Sequence, residues 1–555
     1  MNKIEFTQFL QNTRDNIQEK LNPKKIGTKI SVSLKSKKTR KNLIIYAFLT
    51  LFCIAFLLLL SASTSPLYKD LCDGDSSIFI FFGKAITLGK DAYRDYFDHK
   101  GPILFYINAL GYFLTKSKVG VFILQCIFLS ISSIFMYKTA RFFTKPIRSV
   151  ICVIITILAF GATISDGNLT EEYCILYCMI AIYTALKFIT KHPKAPHPHK
   201  NMVIYGICFG ICAFIRVNNG LIICGIVFVT IMTDFINEHI KEIFKNILYF
   251  IVGVLIVAVP VCLFFLIKGT LSDMLFSTFV FNFLYASEGS SEKTSSAILL
   301  LLRWVAPVLM MIFISSFFAK RLGPKVASFI TTISIFALIP ILLGFSYTHY
   351  YTTLIPLIPI YCAVFFYITS NKINILAVIL CVIMAFPLAN YFVQSESNIV
   401  HYSKKLYSQR HPAKTSDVYS DIYYSAKQLS SQIPDEDKDS VYCYDISATW
   451  LLQADIMPCF KIFILQEWWS EMYPEFGRQI NQMMLEKQPK WVVIHNIDIV
   501  NSKQFMNIIN NNYELIDEYS YDRLYKLKTK KKIAVAISNS YFHVYLCHRQ
   551  CKMIP

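Results

Sequence analysis

LIIYAFLTLFCIAFLLLL, residues 43–60, runs without a charge directly after Lys37, Lys38, Arg40 and Lys41. The hydrocarbon core of a bilayer takes about 20 such residues as a helix. Comparable runs recur at Val150–Ala162 and Ile247–Ile267. Of the 555 residues, 54% are hydrophobic and 16% charged, whereas a soluble chain carries about 25% charged residues. These proportions exclude a soluble enzyme, a disordered chain and a disulfide miniprotein. The sequence reads as an α-helical polytopic membrane protein.

Spans are predicted at 43–61, 119–140, 148–163, 171–189, 202–216, 219–235, 247–267, 295–317, 325–343, 351–369 and 373–393. The first reads as a signal anchor. Part of the net charge of +19 lies in residues 1–42, where eleven Lys/Arg face only Glu5, Asp15 and Glu19. Basic loops stay on the cytoplasmic face. With the N-terminus inside, the inner loops hold Arg141, Lys145, Arg148, Lys187, Lys191, Lys194, Lys200, Lys241, Lys245, Lys320, Arg321, Lys325 and Lys372. The short outer loops hold only Arg216, Lys268 and Lys293. This asymmetry predicts a basic cytoplasmic segment 1–42 and an outer loop 62–118, with everything beyond 393 outside. It also accounts for the basic excess without nucleic acid as a partner.

Residues 396–528 regain Asp, Glu, Ser and Gln, with β-like runs at Ser440–Tyr444, Trp491–His495 and Arg523–Leu527 around a helix-like stretch Glu471–Leu485. Strands alternating with helices predict a small extracytoplasmic α/β domain. Its Cys443 and Cys459 either pair in an oxidising compartment or stay as free buried thiols. The sixteen cysteines include no CxxC and inside spans serve as small hydrophobes. The tail 529–555 fits neither part, and no internal repeat is evident.

Polar residues that lipid does not explain carry the functional signal. The outer loop holds Asp70, Asp73 and Asp75, then a weakly charged stretch Ser76–Leu88 suited to a juxtamembrane helix, then YRDYFDHKGP at 93–102. Asp75 is expected to cap that helix, where the positive end favours a carboxylate. Three acids in six residues exceed what one cap needs. Glu171 and Glu172 open a span, as capping residues or as site acids. Arg216 stands outside beside Asn218 and Asn219, either snorkelling or gripping a phosphate with its planar fork. His349 and Tyr350 lie in an uncharged aromatic stretch, and Arg303 sits inside a span, where a cation needs a partner or an anion.

Taken in order, these motifs resemble the bacterial branch of the GT-C glycosyltransferases. These are polyprenol-phosphate-sugar transferases akin to protein O-mannosyltransferases and the lipid A aminoarabinose transferase. The likeness covers a GT-C-like transmembrane domain over residues 43–395. It implies that Asp75 is the catalytic base, early in the first outer loop before a juxtamembrane helix. Phe97-Asp98-His-Lys-Gly-Pro is similar to a metal-binding Phe-Glu-Lys-Pro turn of that family, making Asp98 a candidate ligand for a divalent metal ion. Glu171 or Glu172 takes the place of a second acid, and Arg216 and His349 that of the groups holding the lipid phosphate. Asp73, Lys100, Asn218, Arg303 and Tyr350 complete the expected substrate-binding set.

The resemblance implies sugar transfer from a polyprenyl-phosphate donor to an envelope glycan, lipid or protein, on the extracytoplasmic side of the cell membrane. A hydroxyl acceptor needs a base as it attacks the anomeric carbon. The departing phosphate needs charge clamping rather than a proton. One base without an acid partner suits inverting displacement. The competing class is a lipid or sugar transporter, but such proteins place polar groups at midplane within inverted repeats, whereas here the acids cluster at the outer ends of spans.

Overall fold

The computed structural model describes residues 36–69, 74–192, 195–284, 295–342, 347–369, 375–410 and 418–528. Asp73 and the 529–555 tail lie outside the described residues. Among those described, seven helices are long and apolar enough to cross a membrane: Thr39–Leu60, Lys118–Ala140, Thr170–Lys191, His199–Ile236, Ile240–Ile267, Pro324–Leu342 and Thr348–Thr369. Shorter apolar helices are Pro102–Thr115, Pro146–Phe160, Leu271–Leu284 and Leu302–Phe317.

This differs in detail from the eleven expected spans. The runs at 202–216 and 219–235 are joined by a 3₁₀ turn, Val217–Gly220. Val-Asn-Asn-Gly is a poor helix sequence, and Arg216 turns to an extended conformation there. The run at 373–393 opens a longer helix, Ile375–Arg410, that outlasts its apolar part. Pro102–Thr115 forms a separate apolar helix inside the expected outer loop, too short to span a bilayer.

Several helix ends meet at one end of the bundle. The Ser63 N–H donates to the Asp166 carbonyl at 3.1 Å, and Thr352 Oγ1 donates to Thr163 Oγ1 at 2.8 Å. Gly167 lies against Ser61 with φ +82°, and an added Cβ would come within 2.0 Å of the Ser61 hydroxyl. Only glycine fits both the angle and the gap.

The juxtamembrane helix forms as Asp75–Thr87, with Gly74 rather than Asp75 at the N-cap. Residues Ser76–Ala85 are buried, so the helix lies inside the protein rather than on the lipid interface. Its phenylalanines explain why. Phe82 stacks on Phe105 at 4.0 Å and Phe81 on Phe463 of the C-terminal domain at 4.6 Å. The Tyr96 hydroxyl donates to the Pro458 carbonyl at 3.1 Å, and the Phe97 N–H donates to the Lys461 carbonyl at 2.8 Å. Together these contacts seat the C-terminal domain on that end of the bundle.

That domain carries a four-stranded sheet in the order β1-β2-β4-β3. Strand β1 (Val441–Tyr444) runs parallel to β2 (Trp491–His495), which pairs antiparallel with β4 (Asp522–Leu527), itself antiparallel to β3 (Tyr513–Tyr519). The parallel pair needs a crossover, which the helices between residues 448 and 486 supply. Strand β3 escapes a sequence reading because YELIDEY buries only its first residue and so shows no alternation. Cys443 and Cys459 are free thiols.

Candidate active site

Three chain segments converge on Asp75. The first is the 98–101 turn, held by a backbone lock. The Gly101 N–H donates to the Ile215 carbonyl at 2.9 Å, and a Cβ on Gly101 would stand 2.1 Å from the Phe214 carbonyl oxygen. Glycine alone permits this approach, which holds the 98–101 turn against the end of the His199–Arg216 helix. Within the turn, Asp98 Oδ1 accepts the Lys100 N–H at 2.8 Å. The Lys100 ammonium donates to His99 Nε2 at 2.8 Å. Asn282 Nδ2 donates to the His99 carbonyl at 2.7 Å.

The second segment is the 216–220 turn with the start of the Thr170–Lys191 helix. Arg216 Nη1 donates to Glu171 Oε1 at 2.9 Å, and both side chains are buried. The third is the 348–357 turn, where Tyr350 lies under the guanidinium of Arg216 at 4.1 Å. His349 packs edge-on to Tyr350 at 4.6 Å and feels the charges of Glu171, Asp75, Arg216 and Lys100.

The electrostatics separate the two carboxylates. Burial opposes the charge on Asp75, yet Lys100, His349 and Arg216 outweigh it and hold the carboxyl below the usual range. For Asp98 burial prevails over the opposing pull of Lys100, and neighbouring Asp75 adds to the rise. Burial, then the Lys100 and Arg216 charges, keep His99 well below the ordinary imidazole value, and so neutral and able to accept from Lys100. A pair of carboxylates pushed apart in this way leaves Asp75 ionised, the form in which a general base starts.

The structure therefore brings together Asp75, Asp98, Lys100, Glu171, Arg216, His349 and Tyr350. Three expected residues stand apart. Glu172 turns inward, accepting the Asn168 N–H at 2.9 Å and Gln125 Nε2 at 3.0 and 3.1 Å. It closes the start of its own helix. Arg303 is exposed on its helix, with no ion pair to the cluster among the described residues. Asn218 is half-buried in the 3₁₀ turn, its carbonyl accepting the Leu221 N–H. Beside it, Asn219, the second of the two amides next to Arg216, is buried, and its carbonyl accepts from Cys178 Sγ at 3.4 Å.

Asp98 lacks the companions of a metal ligand. No group of three His, Cys, Asp or Glu side chains suited to an ion occurs among the described residues. One Asp98 oxygen is engaged by the Lys100 N–H, and the nearby positive charges are already those of Lys100 and Arg216.

A second feature also adjoins Asp75. A cavity of about 550 Å³ opens between Gly74, Asp75 and Ile78 and the C-terminal domain. On its far wall His495 Nδ1 meets Asp522 Oδ1 at 2.6 Å, Ser425 donates to Asp522 Oδ2 and the Trp450 indole N–H donates to Ser425 Oγ at 3.0 Å. Asp421 and Asp445 complete its acids. Nothing in the sequence joins residues 75, 445 and 522; only the fold does.

Residues 34–374 match the family model described as "Putative competence-induced protein Ccs4 N-terminal domain". The chain belongs to this family. No curated protein matches the sequence. Solved structures do match its fold. ArnT from Cupriavidus metallidurans in the apo state aligns with a TM-score of 0.54 at 12% identity, covering 88% of this chain and 98% of that one. The same protein bound to undecaprenyl phosphate aligns at 0.52 and 12% identity, covering 87% and 97%. The archaeal oligosaccharyltransferase AglB from Archaeoglobus fulgidus, in complex with an inhibitory peptide and a dolichol-phosphate, aligns at 0.50 and 12% identity, covering 82% and 70%. These likenesses establish the fold: a polytopic helical membrane protein of GT-C type with a C-terminal α/β domain.

Proposed function

We propose that this Ccs4-family protein is a membrane glycosyltransferase that moves a sugar from a polyprenyl-phosphate carrier to an envelope acceptor on the extracytoplasmic face. The observation that carries this reading is the placement of one ionised carboxylate, Asp75, within the field of Lys100, His349 and Arg216. A carboxylate beside cations is what displacement of a phosphate requires: a base for the incoming hydroxyl and countercharge for the leaving group. Arg216, Lys100 and His349 hold the lipid phosphate. Arg216 shares its fork between Glu171 and the phosphate. The fold shared with ArnT bound to undecaprenyl phosphate supports a lipid-phosphate ligand.

In the reaction, Asp75 takes the acceptor proton as the acceptor oxygen bonds to the anomeric carbon. The bond from that carbon to the phosphate oxygen breaks, and its electron pair leaves on the polyprenyl phosphate. The product is the inverted glycoside. The test is transfer from a panel of radiolabelled polyprenyl-phosphate sugars to cell-envelope acceptors by purified protein in lipid. Asp75→Asn keeps the shape but takes no proton, and should lower transfer by about 10²–10⁴-fold with lipid-phosphate binding retained. Near wild-type transfer by Asp75→Asn would remove the base assignment.

A further inference from the structure

The surroundings of Asp75 are polarised. Lys100, Arg216 and His349 act on its carboxyl without being among the described lining residues of the 550 Å³ cavity that Asp75 also borders, which has Asp421, Asp445, Asp522 and His495 on its walls and, among the described residues, no Lys or Arg. We infer that this cavity receives the acceptor, and that it selects a glycan end bearing no phosphate or carboxylate beside the reacting hydroxyl. This rests on the transferase reading and adds the chemical class of its second substrate.

Displacement with inversion requires the nucleophile to enter opposite the leaving group. If the phosphate occupies the cationic side, the acceptor enters from the cavity, and Asp75 lines that cavity. The walls suit a sugar. Tyr521 offers exposed aromatic surface, and carboxylate oxygens accept from hydroxyls. The hydrogen bonds joining Trp450, Ser425, Asp522 and His495 fix Asp522 in place. An anionic acceptor would meet several carboxylates in a confined space, where like charges cost affinity. The same charge distribution keeps the donor phosphate on its own side.

The test works whichever glycan is the acceptor. Ser520, exposed at the cavity mouth, is replaced by cysteine (Ser520→Cys) in the full-length protein in nanodiscs. The introduced thiol is then modified with cationic and anionic methanethiosulfonates of similar size, each rate normalised to that with 2-mercaptoethanol. The cationic reagent should react about tenfold faster, and an added Asp421→Asn/Asp445→Asn pair should bring the ratio to within about twofold. Equal rates, or a faster anion, overturn the inference. A second arm places a bulky adduct on the same introduced thiol, which should abolish transfer while undecaprenyl-phosphate binding stays unchanged. Transfer that survives the adduct places the acceptor elsewhere and also overturns the inference. If the unmodified protein transfers nothing from any donor, the transferase reading fails and the class of acceptor with it; the reagent ratio then still reports the charge of the cavity by itself.

Discussion

Arg216 and Glu171 form a buried ion pair at 2.9 Å, joining the end of one membrane helix to the start of another. Removing one partner of such a pair leaves an uncompensated buried charge and costs about 3–5 kcal/mol. Arg216→Ala should therefore lower thermal stability sharply, and activity loss in that variant alone says little. Arg216→Ala/Glu171→Gln should recover most of the stability while binding undecaprenyl phosphate at least about tenfold more weakly. Arg216→Lys keeps the charge without the planar two-point grip, and should fall between wild type and the double variant. Wild-type lipid-phosphate affinity in the stable double variant would return Arg216 to a purely structural role.

Topology follows from charge rather than from any single helix. The basic residues of the predicted inner loops outnumber those outside, so the N-terminus should be cytoplasmic and the C-terminal domain outside. A cysteine at Ser430, in the Val418–Ser430 helix, should react with an impermeant maleimide in intact cells. Labelling there only after permeabilisation would reverse the orientation and move the proposed chemistry to the cytoplasmic side.

How much of this was legible in the sequence depends on the range of the interaction. Composition and charge asymmetry give the membrane class, since they sum over many residues. Asp75, Arg216 and His349 stood out because each is polar at an apolar boundary. Glu172 stood out for the same reason yet faces Gln125, because an acid at a helix start looks alike whether it turns inward or outward. Arg303 drew attention on hydropathy alone and is exposed. The cavity across Asp75, Asp445 and Asp522 had no local signature. Neither did the need for glycine at 101, set by a carbonyl more than a hundred residues away.

That close approach has a measurable consequence. A methyl group at position 101 would stand 2.1 Å from the Phe214 carbonyl oxygen, so the two segments must separate. Overpacking typically costs about 1–3 kcal/mol, and contact with backbone should put Gly101→Ala at or above the top of that range. The shift also moves the 98–101 turn away from the end of the helix that carries Arg216. Both melting temperature and lipid-phosphate affinity should therefore drop together. Gly89→Ala is the control, since no atom lies within 4 Å of its added Cβ and its own φ of +86° carries only local strain.

Ionisation of Asp445 ties stability to pH. Burial, and then the Glu467 charge, raise its carboxyl from 3.8 to about 6, against the pull of the Glu467 N–H. A carboxyl whose folded value exceeds its unfolded one stabilises the fold fully only below the unfolded value. That stability is lost as pH rises through the folded value, here from about pH 4 to beyond pH 6. One unit is about 1.4 kcal/mol, so the burden on the native domain at pH 8 is at most about 3 kcal/mol. Asp445→Asn cannot ionise and escapes it. Melting curves of the full-length protein in detergent should show the variant more stable than wild type at pH 8. The two should converge near pH 4, where the wild-type carboxyl is protonated in the folded state. A variant that melts lower than wild type at pH 8 would mean that Asp445 is held charged by attraction, and that the cavity is less acidic than its walls imply.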